Sequence, residues 1–364
     1  MIVVAAQQSN ADRTMYDVLV EVNVVNEPVS TSGALHNRDR TKVAAVIVTH
    51  NRLSSLKTSL SVLAEQSQPL RWIIVVDNAA DTAVEAEVTR RDSPDGPRMI
   101  YLGSRTNLGG AGGFALGMLH ALAQGAHWVW CADDDGRPDG PNVLETLLNC
   151  AEKYRLAAVS PVVCDISDHA KLAFPLRRGL RWRRRHEELF NDSSSQALRA
   201  KTRSSKGNRD RSPVPTDNDF LPGIANLFNG VLVAATTLEW VGVPDYRLFI
   251  RGDEVEFHRR LVRSGLPFGT CLTTRYLHPS GTEEFRPILN GLMHTQYPDD
   301  EAKRYFTYRN RGFVINQPGM RHLLPQEYAR FAWFFLVKRR DPQGFIRWIQ
   351  LHHQGRQEKF APLK

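Results

Sequence analysis

Residues 127–136 read HWVWCADDDG, an apolar run ending in three adjacent carboxylates, Asp133, Asp134 and Asp135. His127–Ala132 has the length and side chains of a buried strand. Neighbouring carboxylates repel one another, and a divalent cation among them relieves that repulsion. Ligands of open α/β sheets also collect at the carboxyl ends of strands. A solvated acidic turn would carry the same letters. The place of the triplet, after a buried strand and downstream of a glycine-rich turn, favours a cation site.

Outward from this stretch the strand pattern repeats. Met99–Leu102, Trp72–Val76 (WIIVV) and Val43–Val48 (VAAVIV) are short apolar runs, the last two rich in β-branched residues. Leu53, Leu56, Leu60 and Leu63 follow the first run at helical spacing, and a helix is expected around Phe114–Ala123. The alternation predicts an α/β domain, a mostly parallel sheet flanked by helices. Trp128, Trp130 and Phe114 are spaced as buried faces rather than as sugar-stacking platforms. Downstream, ordered signals resume at Asn226–Ala234, Glu254–Leu261 reads as a helix, and the chain after Leu323 is helical, aromatic and basic.

The glycine-rich turn is Asn107-Leu108-Gly109-Gly110-Ala111-Gly112-Gly113-Phe114. Glycines opening a helix let backbone N–H groups approach a diphosphate or a ribose. A nicotinamide dinucleotide fold would use similar letters. Against it, these glycines follow the third strand, and the first strand ends in Thr49-His50-Asn51-Arg52 without glycine. Asp77-Asn78, closing the second strand, fits either a base contact or a turn cap.

The 364 residues suffice for one large domain with appendages. The net charge of +8 suits an acidic partner, and its sign alone does not choose among nucleic acid, an anionic membrane and a diphosphate substrate. Cys131, Cys150, Cys164 and Cys271 form no C-x-x-C pair and read as reduced core thiols. The first residues lack the basic stretch and long apolar run of a signal peptide, and no run reaches the length of a spanning helix. The protein is therefore expected to stay on the side of the membrane where it is made. Residues 1–42 read as an N-terminal extension. Residues 191–219, polar and rich in Ser, Arg and Pro, read as a mobile insert.

The series VIVTHNR, VVDN, NLGGAGG and WCADDDG, in that order, resembles the nucleotide-binding half of family 2 glycosyltransferases, whose fold is GT-A. FIRGDEVEF, from Phe249 to Phe257, resembles that family's second acidic motif, and His278 in YLHP matches a downstream metal-binding histidine. The resemblance implies a GT-A catalytic domain over 43–320, with a nucleotide-binding half at 43–165 and an acceptor half at 166–320. By it, Asp133, Asp135 and His278 hold Mn²⁺ or Mg²⁺. Thr49, Arg52, Asp77, Asn107, Gly109, Gly110, Gly112, Gly113 and Asp134 line the nucleotide sugar. Asp253 and Glu254 are the candidates for the base of an inverting displacement. The family order there is Glu-Asp and here it is Asp-Glu, with alignment on the next residues favouring Glu254. AFPLRRGLRWRRR, LFIRGDEVEFHRRLVRSGLPFGTC and YFTYRNRGFV are similar to actinobacterial galactofuranosyltransferases of cell-wall galactan synthesis. That closer resemblance implies UDP-galactofuranose as donor and a rhamnosyl-N-acetylglucosaminyl diphosphate on a polyprenyl lipid as acceptor. Composition and spacing say nothing about either.

Residues 321–364 carry Phe331, Trp333, Phe334, Phe335, Phe345 and Trp348 among Lys338, Arg339, Arg340 and Arg347, a pattern suited to an anionic membrane surface at the cytoplasmic face. A helix packed on the catalytic domain is the alternative. The arginines around Trp182 suit either that surface or a lipid diphosphate. Another donor sugar, such as rhamnose, and a basic RNA- or lipid-binding module are the competing functions. The module would not need two acidic clusters, so no nucleic-acid partner is expected; a homo-oligomer is left open.

Overall fold

A computed structural model describes residues 41–178, 181–190, 219–280, 284–288 and 293–360. The insert expected at 191–219, but for Asp219, and the extension at 1–42, but for its last two residues, lie outside the described residues.

The first half alternates strand and helix. It runs β1 (Val43–Thr49), α1 (Leu53–Ala64), β2 (Trp72–Asp77), α2 (Thr82–Arg91), β3 (Arg98–Gly103), α3 (Gly109–Ala123) and β4 (Trp128–Asp133). Every residue of β1 and β2 is buried, as continuous apolar strands covered on both faces must be. Helix α1 turns Leu56, Leu60 and Leu63 inward on one side of the sheet. Helix α3 covers the other side, where Phe114 and Met118 pack against Val46, Val48 and Val76. Trp130 and Phe114 are core and Trp128 is half-buried, as their spacing predicts. All four cysteines are buried free thiols.

The chain continues through β5 (Arg137–Pro138), α4 (Val143–Tyr154), β6 (Ala158–Asp165), β7 (Lys171–Arg178), β8 (Arg181–Arg185), β9 (Phe220–Pro222), β10 (Leu232–Ala234), α5 (Ala235–Val241), α6 (Asp253–Ser264) and β11 (Phe268–His278). The sheet order is β3-β2-β1-β4-β10-β6-β11-β5. Strands β1 to β4 run parallel, β10 is antiparallel to both β4 and β6, and β11 is parallel to β6. The carboxyl ends of β1, β2, β4 and β11 therefore open on one edge of the sheet. Residues far apart in sequence, Thr49, Asp77, Asp133 and His278, end those strands.

A hairpin of β12 (Phe285–Ile288) and β13 (Met293–Gln296) precedes α7 (Glu301–Asn316), α8 (Leu324–Ala332), a π-helical stretch (Trp333–Arg339) and α9 (Pro342–Arg356). The aromatic C-terminal region divides in two. Phe331, Phe334, Phe335 and Trp348 are buried in a cluster with Ile288 and Tyr308, so for these four the packed-helix alternative holds and the membrane reading does not. The hydrophobic effect has already consumed their surface. Trp333, Leu336, Val337 and Ile346 remain 41–54% exposed. Helices α7 and α9 touch backbone to backbone: a Cβ on Gly312 would collide with the carbonyl of His352, and one on Gly355 with the carbonyl of Arg309. Gly355→Ala is expected to lower stability by about 1–3 kcal/mol in urea unfolding, the usual effect of overpacking. Gly96→Ala, where nothing lies within 4 Å, should shift the midpoint little.

Candidate active site

The triplet turns its three side chains to different tasks. Asp134 is almost fully buried; its Oδ2 accepts from the Thr49 hydroxyl at 2.8 Å and its Oδ1 from Arg52 at 3.2 Å. Asp133 and Asp135 face His278, and ligand atoms of these three lie within 4.8 Å of one another. His278 Nε2 is 3.3 Å from Asp135 Oδ1 and 3.9 Å from Asp133 Oδ2. Its Nδ1 lies 2.7 Å from the carbonyl of Pro279, which can only accept, so Nδ1 carries a proton and Nε2 is aimed at the carboxylates. Asp135 Oδ1 is buried and receives no hydrogen bond of good geometry. Two carboxylates, an imidazole and an orphaned oxygen fit a divalent cation such as Mn²⁺ or Mg²⁺.

Burial and neighbouring charges act differently on the four groups. Burial, with the negative charges of Asp135 and Asp134, pushes the Asp133 carboxyl up to about 7, against the pull of His278. Burial also raises Asp134, although Thr49 and Arg52 oppose it. For Asp135, burial is outweighed by His278 and Arg52, and the pKa falls below the usual carboxylate value. Burial likewise opposes protonation of His278, yet Asp135 and Asp133 win and its pKa rises.

The turn is held from behind by residues that the motifs did not flag. The buried Ser59 hydroxyl of α1 lies 3.0 Å from the carbonyl of Asp134 and 2.8 Å from that of Gly136. The backbone N–H of Asp133 donates to the Tyr276 hydroxyl at 3.2 Å. The Tyr276 ring lies between two glycines, where a Cβ on Gly136 or Gly230 would come within 2.5 Å or 2.7 Å of it. Pairing of β5 with Tyr276–Leu277 brings the end of β11, and so His278, alongside the turn.

The residues expected to line the nucleotide sugar are placed with equal definition. Asp77 is fully buried; its carboxylate accepts from the N–H groups of Ala79 and Asp81 and from the Tyr101 hydroxyl, which fixes the loop edge after β2. Asn107 Oδ1 caps Gly109 N–H at 2.9 Å, and Asn78 ties Leu108 N–H and the Gly109 carbonyl. Gly109 has φ +66° and lies under the carbonyl of Phe249, where a side chain would clash. Gly112 packs on Leu108 and Gly113 on Val48, so these glycines serve close packing as well as turn geometry. At Gly110 nothing lies within 4 Å of a built Cβ, and this is where the turn faces open space.

The second acidic motif opens α6, with Asp253 and Glu254 in its first turn. Asp253 is buried, which pushes its carboxyl up to about 6 while the N–H groups of Asp253 and Glu254 pull it down. Glu254 has an exposed surface, although protein atoms crowd its carboxyl. That crowding, with the charges of Asp253 and Asp133, pushes its pKa up to about 8 against Arg251 and His278. Glu254 therefore stands within electrostatic reach of both Asp133 and His278.

This edge, with its acidic turn, histidine and glycine turn, has the arrangement of a nucleotide-sugar site. The Glycosyl transferase family 2 model matches residues 44–210. Galactofuranosyltransferase GlfT1 of Mycolicibacterium smegmatis is 59% identical over 87% of this chain and 97% of its own length. GlfT1 of Mycobacterium tuberculosis is 58% identical over 88% and 97%. The chain belongs to glycosyltransferase family 2. Its mixed, mostly parallel sheet flanked by helices is the GT-A arrangement. Among solved structures, it resembles the mannosyltransferase PcManGT of Pyrobaculum calidifontis at TM-score 0.46 and 14% identity, covering 86% of this chain and 73% of that one. It resembles GalNAc-T7 at TM-score 0.47 and 12% identity, covering 76% of this chain and 47% of that one. At such distances neither likeness bears on substrate.

The geometry separates the residues grouped as a possible cation site from those that brace the turn. Asp135→Ala and His278→Ala are expected to weaken Mn²⁺ binding, measured by calorimetry with UDP present, by about 100-fold or more for the aspartate. Asp134→Asn, whose carboxylate faces Thr49 and Arg52, should cost far less. Equal losses at all three positions would show that the division is wrong.

Proposed function

We propose that this family 2 glycosyltransferase moves galactofuranose from UDP-galactofuranose, with inversion, to a rhamnosyl-N-acetylglucosaminyl diphosphate carried by a polyprenyl lipid, adding the first galactofuranose units of a cell-wall galactan. What supports the sugar is the 59% identity, over nearly the whole of its length, to a galactofuranosyltransferase. What supports the chemistry is the grouping of Asp133, Asp135 and His278, with Glu254 within electrostatic reach of Asp133 and His278.

In this reading Asp133, Asp135 and His278 hold Mn²⁺ or Mg²⁺. The cation supplies positive charge beside the departing diphosphate. Asp134 and Thr49 keep the turn in place, and Arg52, half-exposed at the rim, offers its guanidinium to phosphate oxygens. Asp77, Asn107 and the open face at Gly110 frame the nucleoside and sugar. An acceptor hydroxyl attacks the anomeric carbon as the bond to the diphosphate oxygen breaks, and Glu254 takes the hydroxyl proton onto its carboxylate. Glu254 suits that task better than Asp253, being exposed and having a pKa pushed up to about 8. Asp253, buried and bonded to the start of its helix, supports the turn.

A base must be ionised to work, so transfer should rise with pH through the Glu254 midpoint, near or below 8 once positive charge sits at Asp133 and Asp135. Glu254→Gln should remove that limb and lower kcat by about 10²–10⁴-fold, with UDP binding retained. The deciding assay offers a panel of UDP- and dTDP-sugars to a short-chain acceptor, with Mn²⁺ and with chelator. Transfer of galactofuranose that stops on chelation is expected. Transfer of another sugar would retain the glycosyltransferase and overturn the donor.

The reading includes work at the cytoplasmic face of a membrane. No helix of the described residues is long and apolar enough to cross one. Trp333, Leu336 and Val337 recur at i, i+3 and i+4 on the outer side of the π-helical stretch, next to exposed Lys338, Arg339 and Arg340. Apolar side chains ringed by cations suit an anionic interface, where each basic residue contributes about 1 kcal/mol. Flotation with vesicles containing anionic lipid should recover the protein. Trp333→Ser with Leu336→Ser should reduce recovery while kcat on a soluble acceptor stays unchanged; undiminished flotation would rule this face out.

A further inference from the structure

The loop that delivers the base is strained, and one pair of buried side chains holds it. Between the short helical turn Tyr246–Leu248 and α6, the backbone enters the left-handed region at Phe249 (φ +67°), Arg251 (φ +67°) and Gly252 (φ +86°). Only the last is a glycine. Side-chain-bearing residues adopt this conformation only where their surroundings impose it.

The surroundings here are two consecutive residues of α7. Asn310 is fully buried, and its Nδ2 lies 2.7 Å from the carbonyl of Leu248, 2.9 Å from that of Ile250 and 2.7 Å from that of Arg251. One amide group, sharing two hydrogens, thus serves three carbonyls of the strained loop. Arg309, 1% exposed, donates from Nε to Asn310 Oδ1 at 2.9 Å, which fixes the amide with its nitrogen toward the loop. The same guanidinium reaches the carbonyls of Arg247 and Leu248, both at 3.2 Å, and lies over the Phe306 ring at 4.9 Å.

The loop so held touches both halves of the site. On one flank the Phe249 carbonyl accepts from Ala111 N–H at 3.0 Å, over Gly109, which pins the glycine turn at the start of α3. On the other flank Gly252 leads directly into Asp253 and Glu254, and Arg251 pairs with Glu284 at 2.5 Å.

We infer that Arg309 and Asn310 are positioning residues for the transfer reaction: from a helix outside the cleft they set the Phe249–Gly252 loop, and through it the placement of Glu254 relative to the donor-side glycine turn. This rests on the proposed role of Glu254. The hydrogen bonds described for the pair go to the loop carbonyls and to each other, so its effect reaches chemistry through geometry, where a displacement of an ångström can cost about 100-fold in rate.

The test uses the full chain carrying Asn310→Ala, with Asn316→Ala as control, since Asn316 lies on the same helix and bonds instead to the Arg356 carbonyl. Asn310→Ala should lower kcat about 10- to 100-fold, keep UDP affinity within about threefold because Asn78 still ties the glycine turn, and displace the acidic limb of the pH profile. Asn316→Ala should leave kcat and that limb in place. Should Asn310→Ala fold poorly, Arg309→Lys removes the Nε donor that orients the amide and should give a smaller loss of the same kind. Amide hydrogen exchange across residues 247–256 reads the brace with no assay of transfer, and should speed up in either variant. Unchanged exchange in a folded variant would overturn the inference. So would a kcat loss matched by Asn316→Ala or by an equal loss of UDP affinity. Faster exchange in the variants, beside a wild-type chain that transfers no galactofuranose, would instead fail the assigned reaction and leave the brace standing.

Discussion

Like charges forced together at the end of one strand are the constraint around which this cleft is built. Asp133, Asp134 and Asp135 occupy a single turn after β4, and three carboxylates so close would drive one another to protonate or the turn to open. The protein divides them instead. Asp134 is turned inward to the Thr49 hydroxyl, Arg52 bridges Asp134 and Asp135, and Asp133 and Asp135 face His278. Asp133 and Asp135 shift in opposite directions, Asp133 raised by burial and the adjacent carboxylates, Asp135 lowered by His278 and Arg52 against its burial. Asp133, Asp135 and His278 are left with ligand atoms close enough together to hold a divalent cation.

Holding such a turn in place takes a rigid backing. Ser59 of α1 and Tyr276 of β11, two elements remote in sequence, supply it together with the β5–β11 pairing. The ring of Tyr276 fits only because Gly136 and Gly230 lack side chains. Similar economy governs the glycine turn, where Gly109 admits the carbonyl of Phe249 and Gly113 lets α3 close on β1. Close packing and ligand approach are therefore served by neighbouring glycines in one turn, with Gly110 facing outward.

The C-terminal helices join this frame rather than hanging from it. Helix α7 carries Arg309 and Asn310 under the Phe249–Gly252 loop on one side and receives α9 at Gly312 and Gly355 on another. The face that carries exposed apolar and basic side chains is thus fixed, through packed helices, to the loop that presents Glu254. A docked surface and a working cleft can share one orientation only if nothing flexible lies between them.

Much of the fold was legible in the chain itself. Val43–Val48, Trp72–Val76 and His127–Ala132 are continuous apolar runs, and burial of a parallel strand on both faces leaves no other pattern. The acidic triplet and the glycine turn were legible too, because repelling charges and missing side chains are local signals. The sequence alone also placed Phe331, Phe334, Phe335 and Trp348 on a membrane-facing surface, whereas packing on α7 buries them: amphipathic spacing states that a face is covered, not by what. Tertiary structure alone decided that Asp134 turns inward, that His278 lies 3.3 Å from Asp135, and that Tyr276 and Asn310 hold the site from behind. Those contacts join residues dozens to more than a hundred positions apart, and no local period or charge pattern encodes a partner at that distance.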